Sequence, residues 1–183
     1  YHIGFVLGPC INASGRLDTA ARSLALLNAK TKEEAARLAG DLTALNQSRK
    51  ALTEKGKEEA IRIIETTELK NDRVLVVYLP DCHESLAGII AGRIREKYHR
   101  PAFVLTGGET SAKGSGRSIE SYSMYEELVK CADLMIQFGG HPMAAGLSIE
   151  EKNIEEFRRR LNVNCTLTDE ELRPKIVIDV PMP

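Results

Sequence analysis

Three short glycine-rich stretches of the sequence carry polar side chains with long reach. They are Asn12–Arg16 (NASGR), Gly114–Ser118 (GSGRS) and Gly139–Gly146 (GGHPMAAG). Glycine lets a backbone come close to a ligand and leaves bare N–H groups as donors. Arginine presents a planar fork of donors that fits a phosphate. Serine adds a hydroxyl, and histidine adds a donor that can carry charge. Together these types describe an anion site, most simply a phosphate site. Its candidate members are Asn12, Arg16, Ser115, Arg117, Ser118, Gly139, Gly140 and His141. Taken singly, each stretch is an ordinary turn composition. Three of them in one chain, each at the edge of a regular element, favour a binding function.

A fourth stretch, Asp81-Cys82-His83-Glu84, has the residue types of a metal site. Neighbouring residues on a strand or loop point in alternating directions, so at most two of them could share an ion. Zinc sites draw on separated pairs instead. The stretch reads better as a loop between a strand end and a helix start, where ligands bind in open α/β sheets. That makes His83 a further candidate contact. No Asp-His-His, HExxH, GxSxG or Walker loop is present. The seven Asp and four His are scattered singly. Two-metal phosphodiester hydrolysis needs a cluster of such groups. The expectation is a chain that grips a phosphate backbone without cutting it, and that binds no metal through its own ligands.

The elements that must position these residues follow from the pattern. Residues 2–8 read as a short strand or buried loop, and GPCINASGRL as a loop. Asp18–Asn28 is helical. Thr31 and Glu34 form a capping box that opens a long helix running to about Thr66. Leu38, Leu42, Leu45, Leu52 and Ile64 give it a narrow apolar stripe, and Gly56 is expected to bend it. Arg73–Leu79 is a buried strand, Ser85–His99 a helix and Ala102–Thr106 a second strand. Ala112–Ile119 is too rich in glycine to assign. A capping box at Ser123 and Glu126 predicts a helix to about Gln137, Ala144–Ile149 a strand, and Asn153–Leu161 an Asn-capped helix. The fold class is α/β: a long connecting helix followed by a small α/β domain with a mixed sheet.

The composition, 43% hydrophobic and 28% charged with a net charge of −1, suits one sizeable domain or a small one plus part of another. Global charge gives no nucleic-acid signature, so any polyanion site must be local. With no Trp, and 5% aromatic residues in all, the composition gives no support to a broad base-stacking platform. Cys10, Cys82, Cys131 and Cys165 form no CxxC and read as reduced thiols. No leader or membrane span is evident. The chain opens mid-pattern at YHIGFVLGP and closes on KIVIDVPMP, the first strand of a further unit, so a piece of a longer protein is expected.

The runs HESLAGIIAGRIREKYHRPAFVL, AKGSGRS and CADLMIQFGGHPMAAGLSI, in that order, resemble the C-terminal half of the RecJ-type exonucleases. GPCINASGRLDTA resembles the Asn-Ala-x-Gly-Arg-Leu segment near the end of their first lobe. The resemblance covers about residues 4–162. It implies the DHH phosphoesterase superfamily, whose N-terminal lobe holds two Mn2+ or Mg2+ ions through Asp and His, upstream of this chain. It further implies a DHH-associated lobe carrying Gly-Gly-His, a cleft between the lobes, and a following OB-type barrel begun by KIVIDVPMP. By the same resemblance residues 1–30 end the first lobe and 31–70 are the connecting helix. Residues 71–163 are then the substrate-binding domain, and 164–183 lead into the barrel.

The implied activity is 5′→3′ degradation of single-stranded DNA in repair and recombination, by a cytoplasmic, monomeric enzyme with no membrane association. Asn12 and Arg16 would lie on the first-lobe side of the cleft and Ser115, Arg117 and Ser118 on the other. His141, with Gly139 and Gly140, would face the scissile or a neighbouring phosphate and donate to its developing charge. Where family members often read Trp-His-x-Gly, this chain has Cys82-His83-Glu84-Ser85, which places an anion beside the site. Alternatives are a DHH phosphodiesterase for short RNA or cyclic dinucleotides, a non-catalytic RNA-binding lobe of the alanyl-tRNA synthetase type, and an α/β domain whose glycine-rich loops are only turns.

Overall fold

A computed structural model describes residues 1–175, which form two compact units, Tyr1–Glu58 and the chain from Glu59 onward. The expected barrel strand KIVIDVPMP lies almost wholly outside the described residues. Among those residues no helix is long and apolar enough to cross a membrane.

The first unit is helical. Residues 2–8, expected as strand or buried loop, contain an exposed π-helical turn, Ile3–Leu7, in which Phe5 N–H bonds to the Tyr1 carbonyl. GPCINASGRL, expected as a loop, is instead α1, Gly8–Leu17. Pro9 sits in the first turn, where its missing N–H costs nothing and its fixed φ fits the helix. Tertiary bonds then hold the helix in place. Ser14 Oγ lies 2.7 Å from Ser23 Oγ of α2 (Ala21–Leu27), and both hydroxyls donate to the Ile11 carbonyl. Helix α3 runs over Lys32–Thr66 without interruption at Gly56. Thr31 Oγ1 accepts from Glu34 N–H, and the Glu34 carboxylate reaches back to Lys30 N–H.

The second unit is a five-stranded mixed sheet of order β1-β2-β3-β5-β4. Strands β1 (Leu75–Leu79) and β2 (Ala102–Thr106) are parallel and joined through α4 (Glu84–Tyr98). The remaining neighbours, β3 (Ala112–Arg117), β5 (Ala144–Ile149) and β4 (Met135–His141), pair antiparallel. The unassigned GSGRS thus belongs largely to a central strand. The helix expected from Ser123 to Gln137 ends early, as α5 over Met124–Val129. Its capping box fixes the start, with Glu126 N–H on Ser123 Oγ, but pairing of residues 135–141 with β5 takes over the rest.

Helix α6, Ile154–Val163, lacks the expected Asn153 side-chain cap, because that amide donates to the Leu134 carbonyl instead. Phe103, Met124, Leu128, Ile149, Phe157 and Leu161 fill the core on one face of the sheet. Asn162 of α6 accepts from the Arg73 and Val74 N–H groups and donates to the Val74 carbonyl, acting as a substitute strand beside β1.

Candidate functional site

Helix α4 lies against one face of the sheet, and the register places three rows of side chains on that face. The first is His141, Ala144 and Arg117, the second Gly139, Gly146 and Ser115, and the third Gln137, Ser148 and Lys113. Paired residues of antiparallel strands share a face, and alternate residues return to it. Contacts to α4 identify the face: a Cβ built at Gly88 would meet Arg117 Nη2 at 2.7 Å and Ser115 Oγ at 2.9 Å, and Lys113 Nζ pairs with Glu84 at 2.6 Å. GSGRS and GGH, well separated in sequence, are therefore brought together across β5.

The Arg117 guanidinium donates to Ser115 Oγ at 3.2 Å and to the Gly116 carbonyl at 2.7 Å. Its stem lies 4.0 Å from where a Cβ at Gly92 would be. Gly88 and Gly92, one turn apart on α4, thus make the channel in which the arginine lies. Sequence reasoning missed both, although two glycines four apart inside a helix are a readable sign of close approach.

His141 ends β4, and the two-residue turn Pro142-Met143 leads into β5. Its Nδ1 accepts from Met143 N–H at 3.3 Å, so Nε2 is the ring nitrogen left to donate. The turn is itself held: Ser118 N–H donates to the Met143 carbonyl and Met124 N–H to the Pro142 carbonyl. Gly140 has φ +153°, and a Cβ there would collide with the Ala144 carbonyl and Ala145, so this glycine is demanded by the backbone. Gly139 is different, because a Cβ there would meet nothing within 4 Å. A groove of ≈ 590 Å³ lies over the second and third rows, bounded by Glu84, Ser85 and Ala87 of α4.

Several of the expected residues lie outside these three rows. Ser118 is buried, and its hydroxyl donates to the Tyr122 carbonyl, so its part is to fold the chain that clamps the His141 turn. His83 caps α4: its Nδ1 accepts from Ser85 N–H at 3.3 Å and lies 2.7 Å from Ser85 Oγ. Asn12 and Arg16 are exposed on α1 of the first unit. In that unit Arg49 also has its pKa lowered, first by burial and then by the charge of Arg16. Lys113, Gln137 and Ser148 line the groove, and sequence reasoning did not name them.

A metal ion does not fit the side chains seen here. Among the described residues no three His, Cys, Asp or Glu are grouped to hold one, and in the 81–84 stretch His83 is bonded to Ser85 and Glu84 to Lys113. Burial pushes the Cys82 thiol up, away from the thiolate a metal would need.

Comparison with known proteins gives a consistent result. The family model of the DHHA1 domain matches residues 71–166. The single-stranded-DNA-specific exonuclease RecJ of Salmonella typhimurium is 40% identical over 190 residues, covering 98% of this chain and 33% of that protein. Crystal structures of RecJ from Thermus thermophilus in complex with Mg2+ and with Mn2+ superpose with TM-scores of 0.80 and 0.78 at 32% identity. They cover 88% of this chain and 25% and 24% of theirs. The chain thus spans about a third of the length of the curated relative. On the family model, which takes in the sheet, α4 and both glycine-rich motifs of the groove face, the chain belongs to the DHHA1 domain family.

Proposed function

We propose that this chain supplies the phosphate-gripping side of the active site in a RecJ-like 5′→3′ exonuclease acting on single-stranded DNA. One observation carries the reading: Ser115, Arg117, Gly139 and His141, drawn from two separate glycine-rich motifs, share one sheet face beside an open groove. The similar proteins are single-stranded-DNA-specific exonucleases, which supports it. In this reading residues 1–30 close the first lobe, 31–70 connect, 71–163 bind substrate and 164–183 lead to a barrel. Asn12 and Arg16 are substrate contacts made by the first unit. The whole enzyme is monomeric and cytoplasmic.

The Arg117 fork takes two oxygens of a phosphate, held in aim by Ser115 and the channel at Gly88. His141 donates from Nε2 to a phosphate oxygen as negative charge develops. Gly139 and Gly146 let the sugar-phosphate backbone settle onto the strands. Mg2+ or Mn2+, bound by other parts of the complete enzyme, would supply the activated water and neutralise charge.

Replacement of Arg117 by Ala in the complete enzyme is expected to lower turnover on single-stranded DNA by ~10²-fold, the scale for losing one aimed donor, and His141→Ala by a similar factor. Unchanged turnover in both variants would refute the reading. A second reading, hydrolysis of short RNA or cyclic dinucleotides, draws on the groove volume, ≈ 590 Å³, which lies in the range of small-molecule sites. Competition between long DNA and dinucleotides for the intact enzyme separates the two.

A further inference from the structure

The groove extends beyond the residues that the phosphate reading uses. Arg117 and His141 occupy the first row, yet the open volume lies over the second and third. The third row is an amide, a hydroxyl and an ammonium: Gln137, Ser148 and Lys113, in line across three strands. Each can donate to an anion. Lys113 is four residues from Arg117 on β3, or ~13 Å of strand rise. A stacked single strand advances about 3.4 Å per nucleotide, so the two cationic rows are at most about four nucleotide steps apart, and fewer for a stretched strand. Between them the floor is Gly139, Gly146 and Ser115. A cation at each end of a cleared floor fits a chain of regularly spaced anions better than a single phosphate.

Glu84 supplies a second, independent observation. Its carboxylate lies 2.6 Å from Lys113 Nζ, and the two side chains are 51% and 54% exposed. Glu84 stands in the first turn of α4, where the helix end favours a negative charge. Lys113 is thus already holding an anion at the groove wall, through an exposed pair weak enough to be exchanged.

We propose that Lys113, with Ser148 and Gln137, forms a second backbone-phosphate subsite for single-stranded nucleic acid, and that Glu84 occupies Lys113 until a phosphate replaces it. This rests on the phosphate reading of Arg117 and His141. The test measures binding of 5′-phosphorylated thymidine di- and hexanucleotides to the complete protein by fluorescence anisotropy, with divalent metal chelated. The dinucleotide is too short to span both rows, whereas the hexanucleotide spans them in either geometry.

Lys113→Ala is expected to weaken the hexanucleotide about tenfold, the scale of one charge-assisted contact, and to leave the dinucleotide unchanged. The log–log salt slope for the hexanucleotide should become shallower by about 0.7. Glu84→Gln should tighten the hexanucleotide by about threefold. Equal loss on both lengths, or none on either, overturns the second subsite. Arg117→Ala separates the layers: if it weakens both oligonucleotides while Lys113→Ala weakens neither, only this inference falls. If Arg117→Ala changes nothing, the phosphate reading falls and takes the second subsite with it.

Discussion

The two faces of the sheet use glycine for opposite reasons. On the core face, a Cβ at Gly116 would lie 2.5 Å from Met124 Sδ and 2.6 Å from the Phe103 ring, and one at Gly114 would press on Leu147 and Leu105. These glycines are there because the core has already taken the space. On the groove face, Gly139 would meet nothing and Gly146 only the Gly114 carbonyl at 3.7 Å. Packing does not require them, and glycine in a strand weakens it. A residue that the fold tolerates rather than needs is best explained by what must come close to it.

That contrast can be broken by substitution. Gly116→Ala should give the largest effect, destabilising the second unit by ~1–3 kcal/mol through overpacking, read by denaturant unfolding. Gly88→Ala should act on binding rather than stability. Alanine suits a helix better by about 1 kcal/mol, but its methyl displaces the Arg117 guanidinium, so single-stranded DNA affinity should fall about tenfold while the melting temperature holds or rises. Gly139→Ala should leave stability unchanged or raise it by ~0.5 kcal/mol and weaken binding by a smaller factor. If Gly139→Ala destabilises as much as Gly116→Ala, the distinction between the faces is wrong.

The smallest effect is titrational. Burial, aided by Glu151, pushes the Tyr78 hydroxyl up to about 12, and burial also raises Tyr122. Between the ordinary tyrosine value near 10 and these raised values, the unfolded chain loses protons that the folded one keeps. The contribution of these tyrosines to stability should be flat below about pH 10 and fall above it, followed by tyrosinate absorbance and thermal melts.

Much of the second unit was legible in the sequence, because its signals are local. RVLVVYL and AFVLT are continuous apolar runs, and they are the buried parallel pair. Capping boxes marked where α3 and α5 begin, but nothing local marks where a helix stops once a strand partner competes, so the helical pattern overruns Val129. GSGRS hid its strand because Gly114 and Gly116 answer to Leu105, Phe103 and Met124, contacts that only the folded sheet creates. Of the candidate site, residue type singled out Ser115, Arg117, Gly139 and His141, which the register puts on one face. It could not tell that Ser118 faces inward, or that Lys113 belongs to the row beyond, since both depend on strand register. In α1 the glycines and Asn12 suggested a loop, and the Ser14–Ser23 bond that stabilises the helix is a contact between two helices.

The clamp on the Pro142-Met143 turn has a mechanical consequence. Ser118, the residue after Arg117, grips the carbonyl of Met143, two residues after His141. Together with the β3–β5–β4 pairing this closes a small ring of bonds around the two side chains. Neither can be retuned alone: a shift of the hairpin drags the strand that carries the arginine, and an insertion between 118 and 124 would disturb the histidine. The pair is therefore held at a fixed spacing, and neither position moves without the other.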